Sequence, residues 1–132
     1  MILYHGTDSV EAKKNILRNG FKSSKRGVFG TGIYCTLDYK LALSYTDSGE
    51  GEDENLVIPI RVYNKNVSIY QYKTLSTRAG IDCDRNPYFY RAHDIMNAKM
   101  YCDKCGIKAI LVLYEDTNEA VIYDPLVIEK IG

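Results

Sequence analysis

The chain has 132 residues, 45% hydrophobic and 26% charged, with seventeen Lys+Arg against seventeen Asp+Glu. These are ordinary values for one globular domain spanning residues 1–132; they exclude disorder and collagen-like repeats, and the charge balance leaves no global basic field to gather nucleic acid. The longest apolar run, Ala109 to Leu113, is far short of the roughly 20 residues of a membrane helix, and no charged leader precedes His5, so a cytoplasmic monomer without membrane association is expected.

In chain order, Met1 to Tyr4 is an apolar stretch suited to a strand. Asp8 followed by Glu11 resembles a capping box and predicts a helix with Val10, Ile16 and Leu17 on one face. Asn19-Gly20 ends it, with Gly20 in a left-handed cap. Residues 22–32, rich in Ser, Lys and Gly, read as a loop, and Ile33 to Cys35 as a short extended piece. A second helix is expected from about Asp38 to Tyr45, with Leu41 and Tyr45 on one face. Asp47 to Asn55 holds five acids and no base, the composition of a solvated connector or an acidic docking patch.

Leu56 to Tyr63 and Val67 to Tyr70 read as strands. Residues 71–88 read as irregular, with a break at Asn86-Pro87, and a helix follows over 90–104 through Ala92, Ile95, Met96 and Met100. Ala109 to Tyr114 and Ala120 to Tyr123 form a hairpin around a four-residue connection, and Val127 to Ile131 adds a last strand. This is an α+β pattern dominated by antiparallel strands.

Four cysteines without a secretory leader read as reduced thiols. A zinc set of Cys83, His93, Cys102 and Cys105 can be drawn on paper. Yet Cys83 and His93 are ten residues apart, where structural sites present two tight ligand pairs, so no metal is expected. Cys102-Asp-Lys-Cys105 does not sit where a redox pair would, and buried thiols near a helix end are the reading adopted.

Three segments carry chemistry. In Tyr4-His5-Gly6-Thr7, a His at the end of an edge strand can point into a cleft. Gly6 leaves its backbone N–H and C=O open to a planar amide, which needs one donor and one acceptor; a turn with a satisfied histidine has the same sequence. In Gly30-Thr31-Gly32-Ile33-Tyr34, the helix that follows can bring Tyr45 opposite Tyr34. Two such rings either sandwich a flat cationic heterocycle or sit half-buried in a core. In Asn118-Glu119-Ala120-Val121-Ile122-Tyr123-Asp124, an acid leads directly into an apolar strand, as a carboxylate facing a cleft would, or a solvated turn residue.

Together these segments resemble the ADP-ribosyltransferase superfamily, in its diphtheria-toxin or poly(ADP-ribose) polymerase-like branch marked by a His-Tyr-Glu triad. His5-Gly6-Thr7 matches its first motif. Gly30 through Tyr34, with Tyr45 eleven residues on, matches the second, and Asn118-Glu119 with Tyr123-Asp124 the third. The Arg and Ser-Thr-Ser motifs of the arginine-specific branch have no counterpart.

The resemblance implies a split antiparallel β-sheet core with a few flanking helices, and NAD⁺ as ADP-ribose donor. By it, His5, Tyr34 and Glu119 are catalytic, and His5, Gly6, Thr7, Tyr34 and Tyr45 hold NAD⁺. Gly6 takes the carboxamide, Tyr34 and Tyr45 stack the nicotinamide, His5 bonds the adenosine-side ribose, and Glu119 bonds the 2′-hydroxyl of the nicotinamide ribose. Lys22, Lys25 and Arg26 are either pyrophosphate contacts or solvated loop charges.

The sequence departs from the family at Ala42, where polymerase members place a Ser that bonds the carboxamide. It also lacks a regulatory helical domain, which makes a mono-ADP-ribosyltransferase acting on a protein or nucleic-acid acceptor the expectation. An NAD⁺ glycohydrolase, an RNA 2′-phosphotransferase and a catalytically silent ADP-ribose-binding module are the alternatives.

Overall fold

The computed structural model describes residues 1–23, 29–81 and 92–132. Among these residues it is an α+β structure with four α-helices and two mostly antiparallel sheets. The first sheet has the order β1-β3-β7, built from β1 (Ile2–Gly6), β3 (Val57–Val62) and β7 (Ile128–Ile131). The second has the order β2-β6-β5-β4, from β2 (Ile33–Cys35), β6 (Asn118–Ile122), β5 (Ala109–Leu113) and β4 (Val67–Gln71). The helices are α1 (Val10–Asn19), α2 (Tyr39–Ser44), α3 (Tyr72–Arg78) and α4 (Ala92–Lys104).

Period-2 alternation gives the second sheet two buried faces. Ile33, Cys35, Ala109, Leu111, Ala120 and Ile122 pack with Leu3, Ile58, Ile60 and Val62 of the first sheet. Ile110, Val112 and Val121 point the other way, onto Tyr72 and Leu75 of α3 and Ala98 and Cys102 of α4. The result is sheet upon sheet upon helices. Helix α2 lies over β1, where Ala42 is fully buried.

Several expectations from the sequence are corrected. The cap of α1 is Ser9, not Asp8: Ser9 is extended and its hydroxyl accepts from the Ala12 N–H at 3.0 Å. Val10 and Leu17 are exposed while Ile16 packs inward; at 100° per residue Ile16 lies about 100° around the helix from Leu17, so the three never share a face. Gly20 has the positive φ expected, 83°, but with ψ 174° it is extended rather than left-handed helical.

Within 71–88, read as irregular, α3 forms from Tyr72 to Arg78, buried through Tyr72, Leu75 and Ser76; Asn86-Pro87 lies outside the described residues. Antiparallel pairing dominates as expected, with one parallel pair among the described residues: β4 runs parallel to β5, Val67 opposite Ala109 through Gln71 opposite Leu113. Such a pair needs a long crossover, and α3 and α4 lie within it. Strand β6 begins two residues earlier than expected, so Asn118 and Glu119 stand on the sheet opposite Leu113 and Val112. Among the described residues no helix is long and apolar enough to cross a membrane.

Candidate active site

Strands β1 and β2 are edges of different sheets, and they meet at one antiparallel bridge. Tyr4 N–H donates to Thr36 O at 2.7 Å and Thr36 N–H to Tyr4 O at 2.9 Å. Beyond that bridge they splay, and a cleft of about 310 Å³ opens between them. His5, Gly6, Tyr34, Cys35, Tyr45 and Glu119 are among its lining residues. Five of the six residues proposed from the motifs, His5, Gly6, Tyr34, Tyr45 and Glu119, are thus drawn to one place from three distant segments.

Thr7 is not among them. Its N–H and hydroxyl both donate to Leu56 O, at 2.9 and 2.8 Å, and the side chain is buried. That bond sets the phase of the ladder. Antiparallel pairing alternates bonded and non-bonded sites. Met1 exchanges backbone hydrogen bonds with Val62, and Thr7 bonds Leu56, so Leu3 and His5 bond their partners Ile60 and Ile58. Gly6, opposite Val57, falls on a non-bonded site. Its N–H and C=O therefore turn away from β3 toward the splayed side, with no partner among the described residues.

The missing side chain of Gly6 has a different reason from the one its sequence suggests. A Cβ there would lie 2.1 Å from the carbonyl oxygen of Ala42 and 3.1 Å from Cβ of Tyr45. The glycine lets α2 sit on β1, and so brings Tyr45 to the cleft.

His5 spans the gap between the two sheets. Its Nδ1 is 2.6 Å from the carbonyl oxygen of Tyr34, which can only accept, so Nδ1 carries the proton. Burial lowers the pKa of the ring against the opposing pull of that hydrogen bond. The neutral ring presents Nε2 as an acceptor. Phe21 packs edge-on against it, centroids 5.0 Å apart.

Tyr34 is held by its hydroxyl, which donates to Gly30 O at 2.6 Å and accepts from Phe29 N–H at 2.9 Å. Tyr123 donates to Phe29 O at 2.7 Å, so the last motif fastens the turn that precedes the second. Tyr45 caps the C-terminus of α2 and is 61% exposed. Its ring is a wall of the cleft and carries little of the core.

Glu119 stands beside them on the same face of β6 as Val121, whose partner is Tyr34. No donor among the described residues bonds its carboxylate, and burial pushes its pKa up to about 7. Its charge also helps raise the phenols of Tyr34 and Tyr45, behind burial. The Cys35 thiol next to it is pushed up to about 12, chiefly by burial, which makes it inert.

Thr36 and Asn118 are among the lining residues to which the sequence assigned no role. Asn118 Oδ1 accepts from Thr36 Oγ1 at 2.9 Å and from Leu37 N–H at 2.8 Å. Neither contact, bridging about eighty positions of chain, leaves a local sequence signal.

No family model and no curated protein matches the chain. Ala42, where polymerase members place a Ser, is fully buried on the side of α2 that faces β1 and is not part of the cleft wall. Of the basic loop residues, Lys22 is exposed; Lys25 and Arg26 lie outside the described residues. So do Cys83 and the His93 side chain. Cys102 is buried and Cys105 exposed, so the two do not share one environment. Among the described residues no three His, Cys, Asp or Glu side chains converge as a metal site requires.

Proposed function

We propose that the protein is an NAD⁺-dependent mono-ADP-ribosyltransferase, a pentosyl-transferring glycosyltransferase. It cleaves the nicotinamide–ribose bond and passes ADP-ribose to a protein or nucleic-acid acceptor. The observation that carries this reading is the pairing, in one cleft, of the Glu119 carboxylate with the backbone N–H and C=O of Gly6, none of which has a partner among the described residues.

A carboxamide offers one donor and one acceptor group, the complement of Gly6. Tyr34 and Tyr45 supply aromatic faces for a cationic ring, worth about 1–2 kcal/mol per contact. Nε2 of neutral His5 accepts from a ribose hydroxyl. As the glycosidic bond breaks, the electron pair leaves with the pyridine nitrogen and positive charge grows on the ribose. A fixed carboxylate bonding the 2′-hydroxyl stabilises that charge more in the transition state than in the ground state. The acceptor's nucleophile then bonds the anomeric carbon and loses its proton. The Glu119 carboxylate receives it in this reading.

The test is NAD⁺ labelled in its adenylate half, incubated with lysate and the protein, with Glu119→Gln beside it. Label on a macromolecule only with intact Glu119 is the expected outcome and names the acceptor class. Release solely as ADP-ribose makes water the acceptor and the protein a glycohydrolase. NAD⁺ left intact overturns the reading.

A further inference from the structure

We propose that Asn118 is a positioning residue, acting through Thr36 to hold the stacking tyrosine of α2 at a fixed distance from the carboxylate of Glu119. The inference rests on the NAD⁺-cleaving reading of the cleft. Asn118 precedes Glu119 on β6, and its side chain crosses to the turn that leads from β2 into α2. There Oδ1 takes two hydrogen bonds, from Thr36 Oγ1 at 2.9 Å and from Leu37 N–H at 2.8 Å.

The link continues into the helix. Having donated its proton to Asn118, the Thr36 hydroxyl accepts from Asp38 N–H at 3.1 Å. Asp38 caps α2 through Lys40 N–H at 3.0 Å. Thr36 is itself buried and bonded on its backbone to Tyr4, the residue at which the two sheets fork. One connected set of hydrogen bonds therefore joins the strand bearing Glu119, the fork of the cleft and the start of α2. That helix is short, Tyr39 to Ser44, and Tyr45 is its C-cap. A rotation at its start is carried almost undiminished to the Tyr45 ring.

Why an amide stands at this position follows from the same contacts. Both bonds to Oδ1 come from donors, so an acceptor is required. A neutral one adds no charge beside Glu119, whose pKa is already raised by burial. An aspartate would accept the same two bonds but place a second negative charge next to the first.

Steady-state turnover of NAD⁺, read as nicotinamide release, tests this on wild type, Asn118→Ala, Thr36→Val and Thr36→Ser. With the clamp lost, Asn118→Ala and Thr36→Val raise KM for NAD⁺ about tenfold and lower kcat about tenfold, because a displacement near 1 Å is enough to spoil a reacting geometry. Thr36→Ser keeps the hydroxyl and stays within about twofold of wild type in both constants. A side chain that merely supported folding would reduce the amount of active protein, lowering apparent kcat at unchanged KM; that result overturns the proposal. Thr36→Val keeps the shape of the buried side chain, so it serves if Asn118→Ala does not fold. Wild type that neither turns over nor binds NAD⁺ overturns the reading of the cleft, whereas wild-type turnover with KM unmoved in both variants overturns the clamp alone.

Discussion

The carbonyl oxygen of Ala42 lies 2.1 Å from where a side-chain carbon on Gly6 would stand, so β1 and α2 touch backbone to backbone. Tyr45 Cβ, at 3.1 Å from the same point, is carried by that contact. Backbone cannot yield as a flexible side chain does.

Gly6→Ala therefore pushes α2 off β1. We expect a loss of about 1–3 kcal/mol of stability from the overpacking. A loss of NAD⁺ affinity should exceed what the lower stability explains, because the Tyr45 wall moves with the helix. Denaturant unfolding and NAD⁺ titration, both on the folded variant, check the two parts. Wild-type affinity in a destabilised variant would mean that α2 does not line the donor site.

On the proposed function, Glu119 sets the pH dependence of activity. Its carboxyl titrates near 7 because burial penalises the charged form. Only the ionised form stabilises an oxocarbenium-like ribose. We expect kcat/KM for NAD⁺ to rise with pH through about 7 and then level off. The bound nicotinamide cation favours the carboxylate, so the corresponding inflection in kcat lies at lower pH. Glu119→Gln should lose about 10²–10³-fold in kcat and keep most of its affinity for NAD⁺. A rate that is flat from pH 5 to 9 in wild type contradicts the assignment.

The same burial makes Glu119 a cost to the fold. A carboxyl whose folded-state pKa lies above its unfolded value holds its proton more tightly when folded. The native state then loses stability as pH climbs from the ordinary 4.5 to about 7, and loses no more above that. The loss is at most about 3 kcal/mol. Removing the ionisable group removes the loss. Glu119→Gln should melt about 5–10 °C above wild type at pH 8 and close to wild type at pH 4.5. His5, whose lowered pKa weakens the fold as pH falls below 6.5, is common to both proteins and cancels from the difference. Thermal melts across pH decide it; an equal gap at both values means that burial of the charge is not what destabilises.

The parts of the fold that could be read from the chain were those with a strong local pattern. Val57 to Val62 alternates buried apolar residues with exposed Pro59 and Arg61, Ala109 to Leu113 is an unbroken aliphatic run, and both are strands. Helix α3 escaped because seven residues with Tyr72 and Leu75 as its large inward side chains carry too little periodicity, and Gln71 makes no cap bond. The cap of α1 fell on Ser9 because Asp8 and Ser9 are both capping residue types, and backbone geometry chose between them.

At the cleft, the residues bearing unusual chemistry in short segments were visible: a His before a Gly, a Glu opening an apolar strand. Their reasons were less so. Gly6 reads as space for a ligand, yet that space is filled by Ala42. What frees its backbone is the phase of the β1–β3 ladder, set by the bond from Thr7 to Leu56. Contacts between residues about eighty positions apart, such as Thr36 with Asn118, arise only when the sheet assembles.

The two tyrosines of the cleft should separate stability from binding. Tyr34 is partly buried, and its hydroxyl holds both Phe29 N–H and Gly30 O; Tyr45 is 61% exposed with no hydroxyl partner among the described residues. Tyr34→Phe keeps the ring but leaves two backbone groups to find water, so we expect about 1–2 kcal/mol of lost stability with modest change in NAD⁺ affinity. Tyr45→Ala removes a solvent-facing ring and should alter stability by less than about 0.5 kcal/mol. The lost stacking weakens NAD⁺ binding about tenfold, the equivalent of about 1.4 kcal/mol. Tyr45→Phe restores it, since the face of the ring and not the hydroxyl makes the contact. Should Tyr45→Ala bind NAD⁺ as wild type does, the flat cation does not lie against α2, and Tyr34 alone would have to hold it.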